Sequence, residues 1–254
     1  VSGEMMAAAF AEWRRAHSRC SGALVWFLKD LWAGAGWGIV DADQQPKAAY
    51  HYLRRALQPV AISIGDEGLN GLSIQLVNEK AIDLEGVLEL SLYGDGDTAL
   101  SSASRPVRIP ARQTLGIPAL DLLDAFADLS YAFRFGPPSY YAMAARLLNL
   151  NDVQCADAFF FPAGMQPSHL GEVGLSARAQ VQPNGDALLS VSTVRFAHCV
   201  TIDAPGYLAD DQYFHLAPHH ERVIRLRPLR EGVRPKGTIR ALNAKAVKKI
   251  ETVE

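Results

Sequence analysis

Near the start of this 254-residue chain, Trp26, Asp30 and Trp32 lie within seven positions of one another. An indole offers a flat apolar face against which the C–H face of a sugar ring can lie, and a nearby carboxylate accepts hydroxyl protons. On spacing alone, a tryptophan buried in the core of an α/β unit is the better account of the same residues. Other acids are less suggestive. Asp95 and Asp97, in Gly94-Asp-Gly-Asp97, resemble the start of a calcium loop, but the downstream ligands are missing and a plain turn is the better account. Asp210 and Asp211 precede Gln-Tyr-Phe214 and read as a strand entry rather than a metal site. His215, His219 and His220 gather around Pro218, with no evident partner to orient them, and read as a solvated turn. No G-x-G-x-x-G, P-loop, H-E-x-x-H or G-x-S-x-G is present, and no cofactor is implied.

The elements that must position Trp26 and Asp30 can be read from the flanking pattern. Residues 22–28 are a continuous apolar run ending at Lys29–Asp30, which predicts a strand buried on both faces, as in a parallel sheet or barrel. Residues at the C-terminal ends of such strands line barrel active sites. Before the run, Met6, Phe10, Trp13 and His17 share one face of a predicted helix over 3–19, with Glu4 early and Arg14, Arg15 and Arg19 late, matching the macrodipole. After it, Pro46 opens a second helix along Ala49, Leu53 and Ala56, and Pro59 stops it. The order helix–strand–loop–helix is the last piece of an α/β repeat. A single βα unit cannot bury both faces of its strand, so these residues read as the end of a larger α/β domain.

Beyond Pro59 the period changes to two. Ile62 and Ile64, then Leu72, Ile74 and Leu76, then Leu84 and Val87–Leu92, then Val107 and Ile109 alternate with polar or small residues. Turn signals at Asp66-Glu-Gly68, Asn70-Gly71, Asn78-Glu-Lys80 and Gly94-Asp-Gly-Asp97 separate them. Residues 120–127 read as a short helix or linker, and 140–148 as a strand. A second break falls at Pro162–Gly171, and beyond it Pro183-Asn-Gly185 marks a hairpin between Leu175–Val181 and Leu188–Val194. Further strands are predicted near Phe196–Ile202, Tyr213–Leu216, Arg222–Leu226 and Gly237–Leu242, with a loose charged tail from Lys245.

The expected fold is therefore mainly β. A terminal α/β piece over 1–58 is followed by β-sandwiches over 59–164 and 165–254. The chain is 49% hydrophobic, enough for sizeable cores. A net charge of -2 gives no electrostatic reason to expect nucleic acid or an anionic membrane surface as partner. No apolar run approaches the roughly 20 residues that a membrane helix needs. Cys20, Cys155 and Cys199 form no C-x-x-C pair and suggest neither a disulfide framework nor a zinc site.

The runs Gly22-Ala-Leu-Val-Trp-Phe-Leu-Lys-Asp-Leu-Trp32, Gly36-Trp-Gly-Ile-Val-Asp41 and Pro46-Lys-Ala-Ala-Tyr50 resemble the end of the catalytic barrel in glycoside hydrolase family 2, most of all its β-mannosidases. Asp210-Asp211-Gln-Tyr-Phe-His-Leu216 is similar to a segment of that family's terminal sandwich. Lys29, Leu31 and Ala33 depart from the family pattern around Asp30. The resemblance implies the end of a (β/α)8 barrel followed by two immunoglobulin-like sandwiches. It implies that Trp26 floors the sugar that is cleaved, with Asp30 and Trp32 close by. It also implies that the catalytic glutamates, the acid/base and the nucleophile, belong to earlier barrel strands outside these 254 residues. Its partners would be a β-mannoside and the preceding part of the same polypeptide. The chain alone would then lack hydrolase activity. A rival reading is a carbohydrate-binding or adhesion module of two sandwiches with residues 1–58 as a docked helical cap. That reading calls for exposed aromatics on a sandwich face, whereas every tryptophan lies before residue 38.

Overall fold

The computed structural model describes residues 2–20, 22–94, 97–123, 127–164, 171–230 and 232–253. The chain divides into two compact units, Val1–Gly94 with Ala99–Gly164, and Asp95–Thr98 with Met165–Glu254.

The first unit opens with two helices, α1 (Ser2–Arg14) and α2 (Ala48–Ala56). They run parallel. Gly3 and Glu4 of α1 lie against Ala48 and Tyr52 of α2, and at the far end the Arg14 guanidinium donates to the carbonyl of Ala56 and, at 2.9 Å, to that of Gln58. A side chain at Gly3 would fall 2.6 Å from the Tyr52 ring, so the close approach of the helices depends on glycine there. The first helix is shorter than the predicted 3–19. Past Arg14 the chain is tied to the neighbouring sheet and the turn between its first two strands: the Arg15 guanidinium pairs with Glu67 at 2.5 Å, the Ala16 N–H donates to Gln75 Oε1 at 3.0 Å, and His17 turns to φ +65. The second helix starts at Ala48, with Pro46 just ahead of it and His51 buried beside Ala49 and Leu53.

The strand expected over 22–28 is not formed. These residues are irregular and mostly exposed, and among the described residues the sheet-like contacts nearby are isolated bridges, Lys29 with Val40 and Val40 with Pro46. A parallel strand takes its stability from ladders on both sides, and the described residues supply no such partner.

Seven strands follow in the first unit: β1 (Val60–Asp66), β2 (Leu72–Asn78), β3 (Leu84–Tyr93), β4 (Ala99–Ile109), β5 (Gln113–Pro118), β6 (Ala142–Asn149) and β7 (Gln154–Phe160). They form two sheets in the orders β1-β2-β5 and β4-β3-β6-β7, with all pairs antiparallel. Ile74 and Leu76 from one sheet and Leu88, Leu90, Met143 and Leu147 from the other share a single buried cluster. The alternation read in the sequence is this inward-facing row. Asn78 is fully buried and plugs the β2–β3 turn, its amide donating to the carbonyls of Ile82, Ile109 and Pro110 at 2.9–3.2 Å. Of the ambiguous 120–127 stretch, residues 119–122 make a short 3-10 turn, and 124–126 lie outside the described residues.

The second unit holds β8 (Ser176–Val181), β9 (Ala187–Ser192), β10 (Ala197–Asp203), β11 (Tyr207–Ala209), β12 (Phe214–Leu216), β13 (Glu221–Pro228), β14 (Thr238–Arg240), β15 (Lys248–Lys249) and β16 (Glu251–Val253). Their sheets run β11-β13-β9-β8-β16 and β12-β10-β14-β15 around a second cluster that includes Leu189, Val191, Val200, Phe214, Ile224 and Ile239. The Asn-Gly hairpin forms as a three-residue loop. The Gly185 N–H, at φ +86, donates to Gln182 O at 2.9 Å, and the Gln182 N–H donates to Asp186 O at 2.8 Å. A type I turn closed by a left-handed glycine needs a residue without a Cβ penalty at that point. The tail is not loose. Lys248–Lys249 pair with β14, Glu251–Val253 run parallel to β8, and Ile250 between them is buried. One anchored isoleucine fixes both short strands, which charge content alone did not reveal.

Candidate functional site

The sequence from Leu28 to Lys47 builds a closed loop on the N-terminal end of α2. Leu28 O accepts the N–H groups of Ile39 and Val40 at 3.1 and 2.9 Å, and the Asp30 N–H donates to Val40 O at 3.0 Å. These bonds form a neck, and residues 31–37 loop out beyond it. The Asp30 side chain sits inside the neck at 8% exposure. One of its oxygens accepts the Gly38 N–H at 2.7 Å, and the other pairs with the Lys47 ammonium, which also reaches Gly36 O at 3.3 Å. A Cβ at Gly36 would fall 2.3 Å from Asp30 Oδ1, and one at Gly38 would fall 2.6 Å from it, so glycine is needed at both positions for the chain to close on the carboxylate. Lys47 is held in place as the residue capping α2, with its N–H on Ile39 O at 2.9 Å.

The aromatic residues carried by this segment face outward. Trp26 is 82% exposed, Trp32 74% and Trp37 80%. Trp26 meets Phe27 edge-on at 6.0 Å, and Phe27 meets Trp37 at 6.2 Å. Trp26 and Trp32 are thus available to a ligand or a packing partner, and Asp30 is engaged within the chain. The sequence reading placed Asp30 among the contact residues; both of its oxygens already hold the neck. It missed Lys47, whose signal was its place in Pro46-Lys-Ala-Ala-Tyr50, directly before the helix. A groove of about 450 Å³ between α1 and β5 is walled by Trp13, Arg14, Arg112 and Gln113, and Trp26, Asp30 and Trp32 take no part in it.

The Lys47 ammonium, followed by the Gly38 N–H, holds the Asp30 carboxyl below its ordinary value. A depressed carboxyl contributes stability above the ordinary value of about 3.9, and this is lost as pH falls through the lower folded value. Tryptophan emission of the chain should therefore stay constant from about pH 7 down to about 4.5 and change only below about 3.9. A transition near pH 6 would show that another group governs the loop.

No family model matches the chain. Beta-mannosidase B of Aspergillus niger is 40% identical over 70 residues, which cover 26% of this chain and 8% of that protein. Beta-mannosidase B of Aspergillus fumigatus is 21% identical over 253 residues, which cover 92% of this chain and 29% of that protein. Among solved structures, a β-D-mannosidase of Dictyoglomus thermophilum superposes with a TM-score of 0.78 at 17% identity, covering 99% of this chain and 29% of that one. The chain resembles the C-terminal part of a β-mannosidase. It spans less than a third of the length of these mannosidases. The exo-chitosanase CsxA of Amycolatopsis orientalis shares the fold as well, with a TM-score of 0.74 at 15% identity over 98% of this chain and 34% of that one.

In this β-mannosidase-like chain the remaining candidates hold the second unit together. Gln212 lies against Ile202 as a strand would, its Oε1 accepting the Ile202 N–H and its Nε2 donating to Ile202 O, both at 2.7 Å. Asp210 accepts the Arg225 N–H at 3.1 Å, and Asp211 lies 3.7 Å from Arg222, whose guanidinium covers the Phe214 ring at 5.0 Å. The histidines do not share one solvated turn. His215 is buried against Phe196 and His198, and its Nδ1 accepts the Cys199 N–H at 3.2 Å. The Cys199 backbone is left-handed at φ +46 within an irregularity of β10, which is what aims this N–H at the ring. His220 contacts Pro218 O at 2.8 Å, and His219 is exposed. Among the described residues no group of three or more His, Cys, Asp or Glu is placed to hold a metal ion. Asp95 lies outside the described residues.

Proposed function

We propose that this chain is the C-terminal part of a retaining exo-glycosidase that removes β-mannosyl residues from non-reducing ends. Residues 1–58 form the end of its (β/α)8 barrel, and 59–164 and 165–254 form two immunoglobulin-like sandwiches. The 40% identity to a β-mannosidase over 70 residues carries this reading. The geometry of the first unit supports it. Consecutive helices of a barrel run parallel because each follows a parallel strand, and α1 and α2 are parallel. The segment between them has to travel back along the helices, as a barrel strand does. Its side chains Leu24, Trp26, Leu28 and Leu31 are 98, 82, 68 and 85% exposed, an apolar belt far beyond what isolated surface residues need. The preceding barrel strands and helices cover the leucines of that belt in the longer protein, and Trp26 is left to floor the sugar site at the strand end.

The rival reading as a binding module is weaker. The exposed Phe and Trp rings of the described residues beyond 38 are Phe133 and Phe135, which stack 6.1 Å apart on a loop rather than on a sheet face.

In a polypeptide extended to the length of the relatives, Trp26→Ala should lower kcat/KM for p-nitrophenyl β-D-mannopyranoside about ten- to a hundred-fold, the loss expected when an aromatic face is removed from a sugar. An unchanged kcat/KM removes Trp26 from the site. An extended protein that cleaves other β-glycosides and leaves β-mannosides intact sinks the mannosidase assignment.

A further inference from the structure

We infer that Asp30 and Lys47 are positioning residues whose ion pair keeps the neck of the 31–37 loop closed and so fixes where Trp32 and Trp37 are presented. The loop has little packing of its own to hold it, because Leu31, Trp32 and Trp37 are each at least 74% exposed. What restrains it is the neck. The backbone bonds of Leu28 and Asp30 with Ile39 and Val40 join two irregular stretches of chain to each other. The Lys47 ammonium on Asp30 and on Gly36 O joins both of them to the residue that caps α2, a regular element packed against α1. A short helix propped by a partner is a firmer reference than a loop, and a charge-assisted bond to a largely dehydrated carboxylate is stronger than a neutral one.

The burial of Asp30 decides between contact and support. A carboxylate with 8% of its surface exposed, one oxygen on a backbone N–H and the other on an ammonium, has little left to offer a hydroxyl. Gly36 and Gly38 close over it so tightly that a methyl group at either position would overlap the carboxylate. Asp30 therefore acts through the tryptophans. The lock stands on this geometry alone. Its bearing on sugar binding rests on the glycosidase reading above.

Hydrogen exchange followed by mass spectrometry on the 254-residue chain tests the lock without any substrate. Lys47→Met and Asp30→Asn should each speed exchange of the peptide covering 28–40 about tenfold or more, while β2, β3 and β9 keep their protection. Lys47→Arg, which retains a cation at the same place, should stay within about threefold of the parent. Unchanged exchange in both disabling variants overturns the lock. So does equal acceleration by Lys47→Arg and Lys47→Met. Should Lys47→Met fail to fold, Asp30→Asn carries the comparison, since its amide still offers an acceptor to the Gly38 N–H. Mannoside turnover does not enter this measurement, so a failed lock and a failed mannosidase assignment are told apart.

Discussion

The 254-residue chain by itself should hydrolyse p-nitrophenyl β-D-mannopyranoside no faster than buffer, whereas a polypeptide extended to the length of its relatives should turn it over. The expected gap is at least about a million-fold, the low end of enzymic rate enhancement. Retaining glycosidases divide the reaction between a carboxylate that attacks the anomeric carbon and a second that protonates the leaving oxygen, about 5–5.5 Å apart. Under the proposed assignment both come from earlier barrel strands. The chain contributes an aromatic wall and its support. A wall without nucleophile or acid supplies binding, and binding of substrate and transition state alike leaves the chemical step unassisted. The check is release of p-nitrophenol over a long incubation of the chain, with the extended protein as reference. Turnover by the chain alone, with retention of configuration, would mean that its own carboxylates do the chemistry and would end the fragment reading.

Phe214→Ala should cost the second unit about 3–5 kcal/mol, among the largest effects a single truncation can have. The ring is 1% exposed, sits within the cluster containing Leu189, Val191 and Ile224, and carries the Arg222 guanidinium 5.0 Å above its face. Truncation leaves a cavity and also removes the cation–π contact, worth about 0.5–1 kcal/mol at a partly exposed site. Arg222 lies close to Asp211, so the loss extends into the Asp210–Gln212 turn. The two hydrophobic clusters have no residue in common. Exchange protection should therefore fall in β9, β10 and β13 and persist in β2, β3 and β6. Uniform loss across both sets would show that the clusters unfold as one.

Much of the β architecture was legible because inward-facing residues alternate wherever a strand is central in its sheet. Ile74 and Leu76 on β2, Leu88 and Leu90 on β3, and Leu189 and Val191 on β9 are buried in rows. The strands that escaped detection, Gln113–Pro118, Gln154–Phe160, Tyr207–Ala209, Lys248–Lys249 and Glu251–Val253, are all sheet edges, where one side has no ladder and the inward row is short, half-buried or exposed. The strand expected over 22–28 failed for a different reason. Its composition suits burial on both faces, and burial on both faces is a property of neighbours that local sequence cannot supply. At the candidate site, the residues of interest could be named from type and spacing, but their division of labour could not. Whether Asp30 points at solvent or into the neck depends on Gly36, Gly38 and Lys47 closing around it, contacts made across up to 17 positions.

The parallel strand Glu251–Val253 lies along the outer side of β8, with Glu251 beside Arg178 at 3.7 Å. An uncovered strand is a template for another molecule of the same kind, since its N–H and C=O groups are fixed in line and ready to pair. β8 carries alanines at 177 and 179 and a single cation at 178, which is light protection for such an edge. Glu251–Val253 therefore occupy the edge of β8 that would otherwise be free to pair with another chain. A chain trimmed after Ile250 keeps its core and loses that cover, so its failure would be seen as precipitation rather than as unfolding.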